Sequence, residues 1–261
     1  MPELPDLEVF KGNIYKRITA KKLVDVTVYN LQKVITPQGW LNEELAGREL
    51  IAINRFGKEL LFDFGAEKMI SAHLMLSGRI SIVSEMAEVE KTKSKIFSLN
   101  FEKEYVVFSD VGRLCTIKYN PKLGNVPDAL GAKFTWVYFQ KIAQKKARMN
   151  VKGFLIDQKV VKGIGNAYAD EILWQARISP HSMVGKLPDD VLIELYHAIR
   201  TVLKEAVVSI QTIAPDIISG EERSFLQVHN KNRKQTETGY PIKVERIVSK
   251  ITYYTEEQVF Y

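Results

Sequence analysis

The sequence predicts an α+β protein in which a sheet-rich first half is followed by helices and then by a C-terminal β-hairpin. Three observations give this prediction: short β-type runs between residues 23 and 109, apolar residues at helical spacing after about residue 130, and strand-like residues again after residue 241. The chain has 261 residues, 46% of them hydrophobic, which is enough for one large domain or two modest ones. It has no apolar run of about 18 residues, so we expect no membrane span.

The first half begins with a predicted helix and continues as predicted strands. Residues 5–18 carry apolar side chains at three-to-four spacing, and Pro5 suits a first helical turn. The β-type runs that follow are residues 23–29, 49–54, 59–64, 69–74, 79–83, 95–101 and 105–109. Short strands at this spacing, with polar turns between them, are typical of an antiparallel sandwich or barrel.

After about residue 130 the apolar period becomes that of helices. The predicted helices are residues 135–147, 151–157, 166–176 and 188–210. The last is the clearest, because its apolar residues share one face, and we interpret that stripe as packing. Residues 241–247 and 251–255 then predict a hairpin.

Cysteine usage excludes two classes of protein. Cys115 is the only cysteine, and one thiol can form neither an internal disulfide nor a cysteine-rich zinc site. A disulfide-stabilised secreted scaffold and a zinc finger are therefore excluded. The acidic N-terminus lacks the basic and apolar regions of a signal peptide, so we expect a cytoplasmic location.

Positive charge is concentrated in two segments of the second half. The net charge is +6, and the excess lies in residues 133–162, which include Lys152, and in residues 223–250, which include Lys250. Aromatic residues lie near both segments, as in many nucleic-acid-binding surfaces. From charge alone, an ordinary solvated surface remains equally compatible with this pattern.

The N-terminus offers a nucleophile beside a carboxylate. Removal of Met1 would leave Pro2 with a secondary amine, which is a fair nucleophile at neutral pH. Such an amine could attack a sugar C1′ and form an iminium ion, which is an electron sink for eliminating phosphate. Glu3 could carry the protons. Taken alone, Met-Pro-Glu is more often an ordinary chain start in which Pro2 opens a helix.

A second motif, Lys-Gly-Ile-Gly-Asn-Ala-Tyr-Ala-Asp-Glu, spans residues 162–171. Its two glycines allow the backbone to approach a ligand closely, and the helix that follows would point free N–H groups outward. A phosphate suits such a site, and Asn166 would add a side-chain donor. The alternative is an asparagine N-cap after a tight turn.

Together, these pieces resemble the formamidopyrimidine-DNA glycosylase / endonuclease VIII family. The resemblance rests on Met-Pro-Glu-Leu-Pro-Asp-Leu-Glu at residues 1–8, Gly-Lys at 57–58 and the motif in residues 155–173, and it runs through the whole chain in order. It implies a β-sandwich domain with the N-terminal helix (1–130), a helix-two-turn-helix domain (131–223) and a finger-like hairpin (224–261), with DNA bound in the cleft between the domains.

The resemblance also implies a mechanism. Pro2 would attack C1′ of a flipped, damaged nucleotide, and Schiff-base eliminations would then nick the strand. Glu3 matches the family's acid/base glutamate, and Lys58 matches a lysine of the active site that contacts phosphate. Asn166 matches a phosphate-binding asparagine, and Arg113 matches an arginine that fills the vacated stack. We also expect Lys152 and Lys250 to bind DNA.

The chain departs from the family pattern at the hairpin and near the lesion. The four positions of the family's zinc-binding cysteines are Gln235, Thr238, Thr255 and Gln258 here, which resembles a zincless finger. Lys250 stands for a finger arginine, so charge is kept and bidentate geometry is lost. In family members that process 8-oxoguanine, a methionine and a phenylalanine stand at the positions of Leu76 and Leu114. Asp6 stands where the family usually has a glutamate. Residues 211–224 form a short stretch compared with the loop that caps a flipped purine.

The sequence thus predicts a bifunctional DNA glycosylase with AP-lyase activity that removes oxidised bases of the formamidopyrimidine/8-oxoguanine type. We expect a monomer that acts on damaged double-stranded DNA, without a membrane and without a metal or organic cofactor. Two alternatives remain open. One is the same chemistry on oxidised pyrimidines and hydantoins, and the other is a non-catalytic binder of damaged DNA or AP sites.

Overall fold

The computed structural model describes residues 1–261 and divides them into two compact units. The first unit contains residues 1–2, 6–124 and 211–221, and the second contains residues 3–5, 125–210 and 222–261. The division expected from the sequence was 1–130, 131–223 and 224–261. The structure instead groups residues 211–221 with the sheets and the C-terminal hairpin with the helices.

The first unit is built on two four-stranded antiparallel sheets and three helices. The helices are α1 (Leu4–Ile18), whose first residues belong to the second unit, α2 (Gln38–Leu45) and α3 (Met86–Lys91). The strands are β1 (Leu23–Val28), β2 (Ala52–Phe56), β3 (Glu59–Asp63), β4 (Met69–His73), β5 (Arg79–Val83), β6 (Lys95–Phe101), β7 (Tyr105–Ser109) and β8 (Thr116–Tyr119). One sheet has the order β1-β6-β7-β5 and the other β2-β3-β4-β8.

The two sheets share one hydrophobic core, which confirms the predicted antiparallel sandwich. Phe62 of β3 and Phe108 of β7 meet edge to face, with ring centroids 5.7 Å apart, and both rings are fully buried. Phe10 of α1 belongs to the same core. Cys115 is also buried there, and burial raises the pKa of its thiol to about 12. At neutral pH it is therefore a protonated thiol that packs as a small apolar group.

The second unit contains four helices and the hairpin. The helices are α4 (Trp136–Lys145), α5 (Val151–Ile156), α6 (Asn166–Gln175) and α7 (Asp189–Ile213), whose last residues belong to the first unit. Thr135 caps α4 through its hydroxyl, and the side chain of Asn150 caps α5. The predicted stripe of α7 is buried as expected. None of the helices combines the length and apolar composition needed to cross a membrane.

The hairpin consists of β9 (Lys243–Ile247) and β10 (Lys250–Tyr254), which pair antiparallel. Its turn residues, Val248 and Ser249, both have positive φ (45° and 63°). Positive φ at both central residues is typical of the two-residue turns that match the twist of a hairpin. Lys250 follows this turn directly and is exposed.

Candidate active site

The carboxylate of Glu3 lies at the N-terminus of α6. It accepts hydrogen bonds from three backbone N–H groups: Gly165 at 2.7 Å, Ala167 at 3.0 Å and Tyr168 at 3.4 Å. Glu3 is buried, with 4% of its surface exposed. These contacts bring together the two motifs that the sequence singled out, although Glu3 and Gly165 are 162 residues apart in the chain. The free N–H groups of α6 thus hold a carboxylate of the protein itself.

Two glycines allow the N-terminal segment to approach this helix. A Cβ on Gly165 would lie 2.2 Å from the carboxyl carbon of Glu3. Gly163 has a φ of +105°, and a Cβ there would lie 2.5 Å from Leu4 Cδ1. The N–H of Leu4 also donates to the carbonyl of Gly163 at 3.2 Å. The glycines of the motif therefore serve the close approach of residues 3–4, beside any role toward a ligand.

Pro2 is buried, and its nitrogen is part of the peptide bond to Met1. The amino group of Met1 pairs with the carboxylate of Glu221. A proline nitrogen in a peptide bond has no nucleophilic lone pair. Any chemistry at Pro2 therefore requires a chain from which Met1 has been removed.

Lys58 lies in the tight turn between β2 and β3 and is partly exposed. The turn is made by Gly57, which has a φ of +60° and whose carbonyl accepts a 3.0 Å hydrogen bond from Arg55. Arg55 also pairs with Glu8 of α1 at 2.8 Å. Burial alone would raise the pKa of Glu8, but hydrogen bonds from Lys11 and Arg55 lower it below its ordinary value. The turn that presents Lys58 is thus fixed to α1 by an ion pair.

His73 is a polar residue of this region that the sequence interpretation missed. It lies at the end of β4, opposite Glu59 in the strand register, and its Nδ1 accepts a 3.0 Å hydrogen bond from the N–H of Met75. Burial lowers the pKa of His73, the charge of Glu59 raises it and that of Lys58 lowers it, with a net decrease. The sequence signal was a histidine at a strand end directly before a loop.

Arg113 is presented by a loop that Asp110 organises. The carboxylate of Asp110 accepts hydrogen bonds from the hydroxyl of Ser77 and from the N–H groups of Gly112 (2.9 Å), Leu114 (2.6 Å) and Cys115 (2.7 Å). The backbone of Arg113 has a φ of +51°, and its side chain is exposed. Because the buried carboxylate of Asp110 fixes this left-handed backbone, the loop holds the side chain of Arg113 in one position.

Apolar residues on the same loops are also exposed. Val111 is 84% exposed, Leu76 64% and Leu114 38%. Leu76 lies between β4 and β5, next to Ser77, whose hydroxyl bonds to Asp110. The shared carboxylate therefore links the two loops that carry these apolar side chains and Arg113.

Asn166 begins α6 and contacts the hairpin. Its Nδ2 donates to the carbonyl of Ile251 at 2.8 Å, while its Oδ1 is buried without a hydrogen-bond partner. Ile251 follows Lys250, so Asn166 and Lys250 are held on adjoining parts of this unit. The amide nitrogen of Asn166 has a second N–H that this contact does not use.

The structure contradicts the prediction that Lys152 binds DNA. Its ammonium group is fully buried and lies 2.7 Å from the carboxylate of Asp170. It also donates to Thr252 Oγ1 at 2.7 Å and to the carbonyl of Ile251 at 3.2 Å. One ion pair and two hydrogen bonds therefore hold the ammonium group inside the protein. Lys152 is therefore a buried partner of α6 and β10, and Asp170 is a further residue that sequence reasoning missed.

Of the four positions aligned with cysteines, Thr238, Thr255 and Gln258 have side-chain hydrogen bonds inside the protein, and Gln235 is exposed. Gln258 accepts from the N–H of Thr255 at 2.9 Å and donates to the carbonyl of Ile178 at 2.8 Å. Thr238 donates to Glu257 at 2.8 Å, and Gln235 forms a backbone bridge with Pro241. No group of three or more His, Cys, Asp or Glu side chains is arranged to hold a metal ion.

Comparison with known proteins gives consistent matches over almost the whole chain. Residues 1–117 match the family profile described as the formamidopyrimidine-DNA glycosylase N-terminal domain, and residues 125–215 match its H2TH domain. The formamidopyrimidine-DNA glycosylase of Carboxydothermus hydrogenoformans is 32% identical over 240 residues, which is 89% of either chain. That of Lactococcus lactis subsp. lactis is 28% identical over an alignment of 268 positions, gaps included, which covers 97% of either chain.

Solved structures share the fold. The Lactococcus lactis Fpg protein in complex with abasic-site DNA superimposes with a TM-score of 0.84 at 23% identity, covering 97% of this chain and 98% of that one. A complex of the same protein with THF-DNA and an inhibitor gives a TM-score of 0.85 at 24% identity and the same coverage.

Proposed function

This chain belongs to the formamidopyrimidine-DNA glycosylase family, and from that premise we propose that it excises oxidised bases of the formamidopyrimidine/8-oxoguanine type through an iminium ion formed at Pro2. The protein is a DNA glycosylase of base excision repair, and its partner is damaged duplex DNA. Members of this family also have AP-lyase activity. The observation that carries the proposed site is the contact of Glu3 with the amides of Gly165 and Ala167.

The proposed reaction starts from a chain without Met1. The secondary amine of Pro2 attacks C1′ of the damaged nucleotide, the glycosidic bond breaks, and the base leaves with the bonding electrons and takes up a proton. The amine then loses its proton, and O4′ leaves C1′ with the C1′–O4′ electron pair and is protonated, which gives the iminium ion. Glu3 receives and returns these protons, because three amide donors fix its carboxylate next to Pro2 in the chain.

The iminium ion then drives strand cleavage. A proton is lost from C2′, the C3′–O bond breaks, and the phosphate leaves with the electron pair. Water finally hydrolyses the iminium ion, which releases the cleaved sugar as an aldehyde and regenerates the amine of Pro2. Lys58 on its rigid turn would neutralise a phosphate close to the reacting sugar, which makes it part of the catalytic group as well as a DNA contact.

Three further residues are proposed to contact DNA. Arg113 would enter the base stack from its fixed loop, with exposed Val111 and Leu114 beside it, because planar and apolar side chains replace an extruded base. Asn166, through its second N–H, and Lys250, which is exposed after the hairpin turn, would bind phosphates. We further propose that the protein acts as a monomer in the cytoplasm.

One observation favours the alternative substrate class. Leu76 and Leu114 are exposed aliphatic residues, and neither offers an aromatic face or the flexible thioether of methionine at the lesion. A Lactococcus lactis Fpg structure was solved with DNA containing an oxidised pyrimidine, so this fold accommodates such DNA. Oxidised pyrimidines and hydantoins are therefore the second candidate substrates.

Borohydride trapping tests the proposal. Protein that mass spectrometry shows to lack Met1 is incubated with duplexes containing 8-oxoguanine, dihydrouracil or an abasic site, and borohydride reduces the iminium ion to a stable adduct. We expect an adduct on the abasic and 8-oxoguanine duplexes that is lost in Pro2→Gly. Faster trapping on dihydrouracil than on 8-oxoguanine would select the alternative substrates. Binding without any adduct would mean a non-catalytic DNA binder.

A further inference from the structure

The carboxylate of Glu257 collects hydrogen bonds from several parts of the second unit. Its Oε1 accepts from Arg177 at 2.7 Å and from the hydroxyl of Thr238 at 2.8 Å. Its Oε2 accepts from the indole N–H of Trp174 at 3.0 Å and from the hydroxyl of Thr255 at 3.0 Å. The side chain of Glu257 is only 9% exposed. One carboxylate thus receives four donors at 3.0 Å or less, and the hydroxyl of Thr236 adds a fifth, longer contact to Oε2 at 3.4 Å.

These donors come from three separate chain segments. Trp174 lies near the C-terminal end of α6 and Arg177 just beyond it, with the guanidinium group stacked over the indole ring at 4.9 Å. Thr238 lies in the segment that enters β9, and Thr255 directly follows β10. Glu257 therefore joins both chain ends of the hairpin to the end of α6.

Only an ionised carboxylate suits this site. Burial alone would raise the pKa of Glu257, but hydrogen bonds from Trp174, Thr238 and Thr255 and the charge of Arg177 lower it below its ordinary value. The guanidinium and the indole N–H are donors only, so neither can accept a hydrogen bond from an amide placed there. In a glutamine at this position, the amide oxygen could accept hydrogen bonds as one carboxylate oxygen does. The amide NH₂ group would replace the other oxygen and would point its N–H bonds at groups that are themselves donors.

The hairpin is also held at its other end. Asn166 and Lys152 both donate to the carbonyl of Ile251, and the N–H of Tyr253 donates to Asp170 at 3.0 Å. Those contacts fix β10 alone. The strand β9 has no such contact with α6, and it is attached through its pairing with β10 and through Thr238 at Glu257. Residues 231–234 are held separately, because they follow residues 227–229, whose N–H groups donate to Glu171 of α6.

We infer that Glu257 is a positioning residue for DNA binding: it holds the two ends of the hairpin against the end of α6 and thereby presents the basic residues of the hairpin, Lys243, Arg246 and Lys250, to DNA phosphates. The inference rests on the proposed function, since it takes this surface to bind DNA. Rigid presentation of such charges lowers the entropy cost of binding.

The test compares Glu257→Ala and Glu257→Gln with Glu256→Ala in the full chain lacking Met1. Glu256 is the matched control, because its side chain is 70% exposed and pairs with Lys243 at the surface. Binding is measured by fluorescence anisotropy on a duplex with a tetrahydrofuran abasic-site analogue. The chemical step is measured as the single-turnover nicking rate on saturating abasic DNA. The indole N–H signals of Trp40, Trp136 and Trp174 are followed by ¹H–¹⁵N NMR.

We expect Glu257→Ala to weaken DNA binding about tenfold or more while the saturated nicking rate stays within about twofold of the wild type. The Trp174 indole signal should shift, and those of Trp40 and Trp136 should not. Glu257→Gln should fall between wild type and Glu257→Ala, because one acceptor oxygen remains. Glu256→Ala should leave the saturated nicking rate and the three indole signals unchanged and should not weaken DNA binding, because it removes only the surface partner of Lys243.

Thr238→Val provides a second variant in case Glu257→Ala does not fold. Thr238 is exposed, and valine keeps its shape while removing one donor. We expect binding about two- to threefold weaker at an unchanged saturated nicking rate. Unchanged binding in both Thr238→Val and Glu257→Gln, or equal losses of binding and saturated rate, would overturn the inference. A wild-type protein that neither binds nor nicks the duplex would instead overturn the proposed function.

Discussion

The amide nitrogen of Gly165 lies 2.7 Å from a carboxylate oxygen of Glu3, and no side chain larger than hydrogen fits at Gly165 while this contact is kept. Gly165 has φ −121° and ψ −162°, an extended conformation that any residue can adopt. Glycine is therefore required at position 165 because the carboxylate of Glu3 approaches so closely. A larger residue at position 165 would displace the carboxylate while Glu3 itself stays unchanged.

We predict that Gly165→Ala lowers the nicking rate on abasic DNA by at least about 100-fold, the usual contribution of a positioned acid/base group. The new Cβ would lie 2.2 Å from the carboxyl carbon, so Glu3 must leave the amides of α6. The rate is measured under single-turnover conditions. Gly153→Ala is the matched control, because a Cβ there meets only Val248 at 3.5 Å, an ordinary contact. A Gly165→Ala protein with wild-type rate would exclude Glu3 as the proton carrier.

Lys152 and Asp170 form a fully buried ion pair, and its loss should affect stability before it affects DNA affinity. We predict that Lys152→Met lowers the free energy of unfolding by about 3–5 kcal/mol, because Asp170 keeps a buried charge without its cation. Urea unfolding at pH 7 measures this. The double variant Lys152→Met/Asp170→Leu should recover part of the loss, since it removes both charges.

The exposed Lys159 in the same basic segment is the control for this experiment. Lys159→Ala should leave the free energy of unfolding within about 0.5 kcal/mol of the wild type. A Lys152→Met protein that is as stable as the wild type but binds DNA with a smaller salt dependence would contradict this prediction. Lys152 would then contact a DNA phosphate, and its ammonium group would have to leave the buried position when DNA binds.

Lys250 is predicted to contact one phosphate. Lys250→Ala should weaken binding equally on different sequences and reduce the slope of log Kd against log salt by about 1. Lys250→Arg should bind more tightly than the wild type, because a guanidinium group can bind a phosphate through two hydrogen bonds. Anisotropy titrations at several salt concentrations measure both effects. An unchanged salt slope in Lys250→Ala would remove Lys250 from the interface.

Sequence periodicity predicted the regular elements that bury one face. The stripe of α7 and the strands from β3 to β7 were predicted within a few residues of their observed bounds, because side-chain alternation and helical spacing report burial directly. By contrast, α2 was missed: it is eight residues long, has no side-chain cap and buries only Leu41 and Leu45. Such a short segment offers too few apolar positions for its period to be recognised.

The site was predictable where its residues form local motifs. Glu3 and the loop before α6 were both identified, although only the fold shows that the carboxylate lies on that helix. Lys152 was misassigned because charge in a sequence does not report burial, and one of its acceptors, the carbonyl of Ile251, is 99 residues away. Glu257 was missed for the same reason, since its partner Trp174 is 83 residues away. Carboxylates that organise distant segments carry no local signature.

Asp110 differs, because three of its four donors lie within five residues of it. These four hydrogen bonds should make the Arg113 loop sensitive to acid. Burial alone would raise the pKa of Asp110, but hydrogen bonds from Ser77 and from the N–H groups of Cys115 and Leu114 lower it below its ordinary value. A carboxylate with a lowered folded-state pKa stabilises the fold above the unfolded-state pKa of about 3.9, and this stabilisation is lost as the pH falls through the folded-state value.

We therefore predict that Asp110→Asn lowers the free energy of unfolding by about 1–3 kcal/mol at pH 7, because the amide turns N–H groups toward donors of the loop. The difference in the free energy of unfolding between this variant and the wild type should shrink as the pH falls below about 4. In that range the carboxylate of Asp110 in the wild type becomes protonated, whereas the asparagine of the variant does not titrate. Urea unfolding from pH 7 to pH 3 measures both effects. Ser77→Ala, which removes one of the four donors, should show a smaller change of the same sign. If the difference between Asp110→Asn and the wild type were the same at pH 3 as at pH 7, the ionised carboxylate would not be what holds this loop.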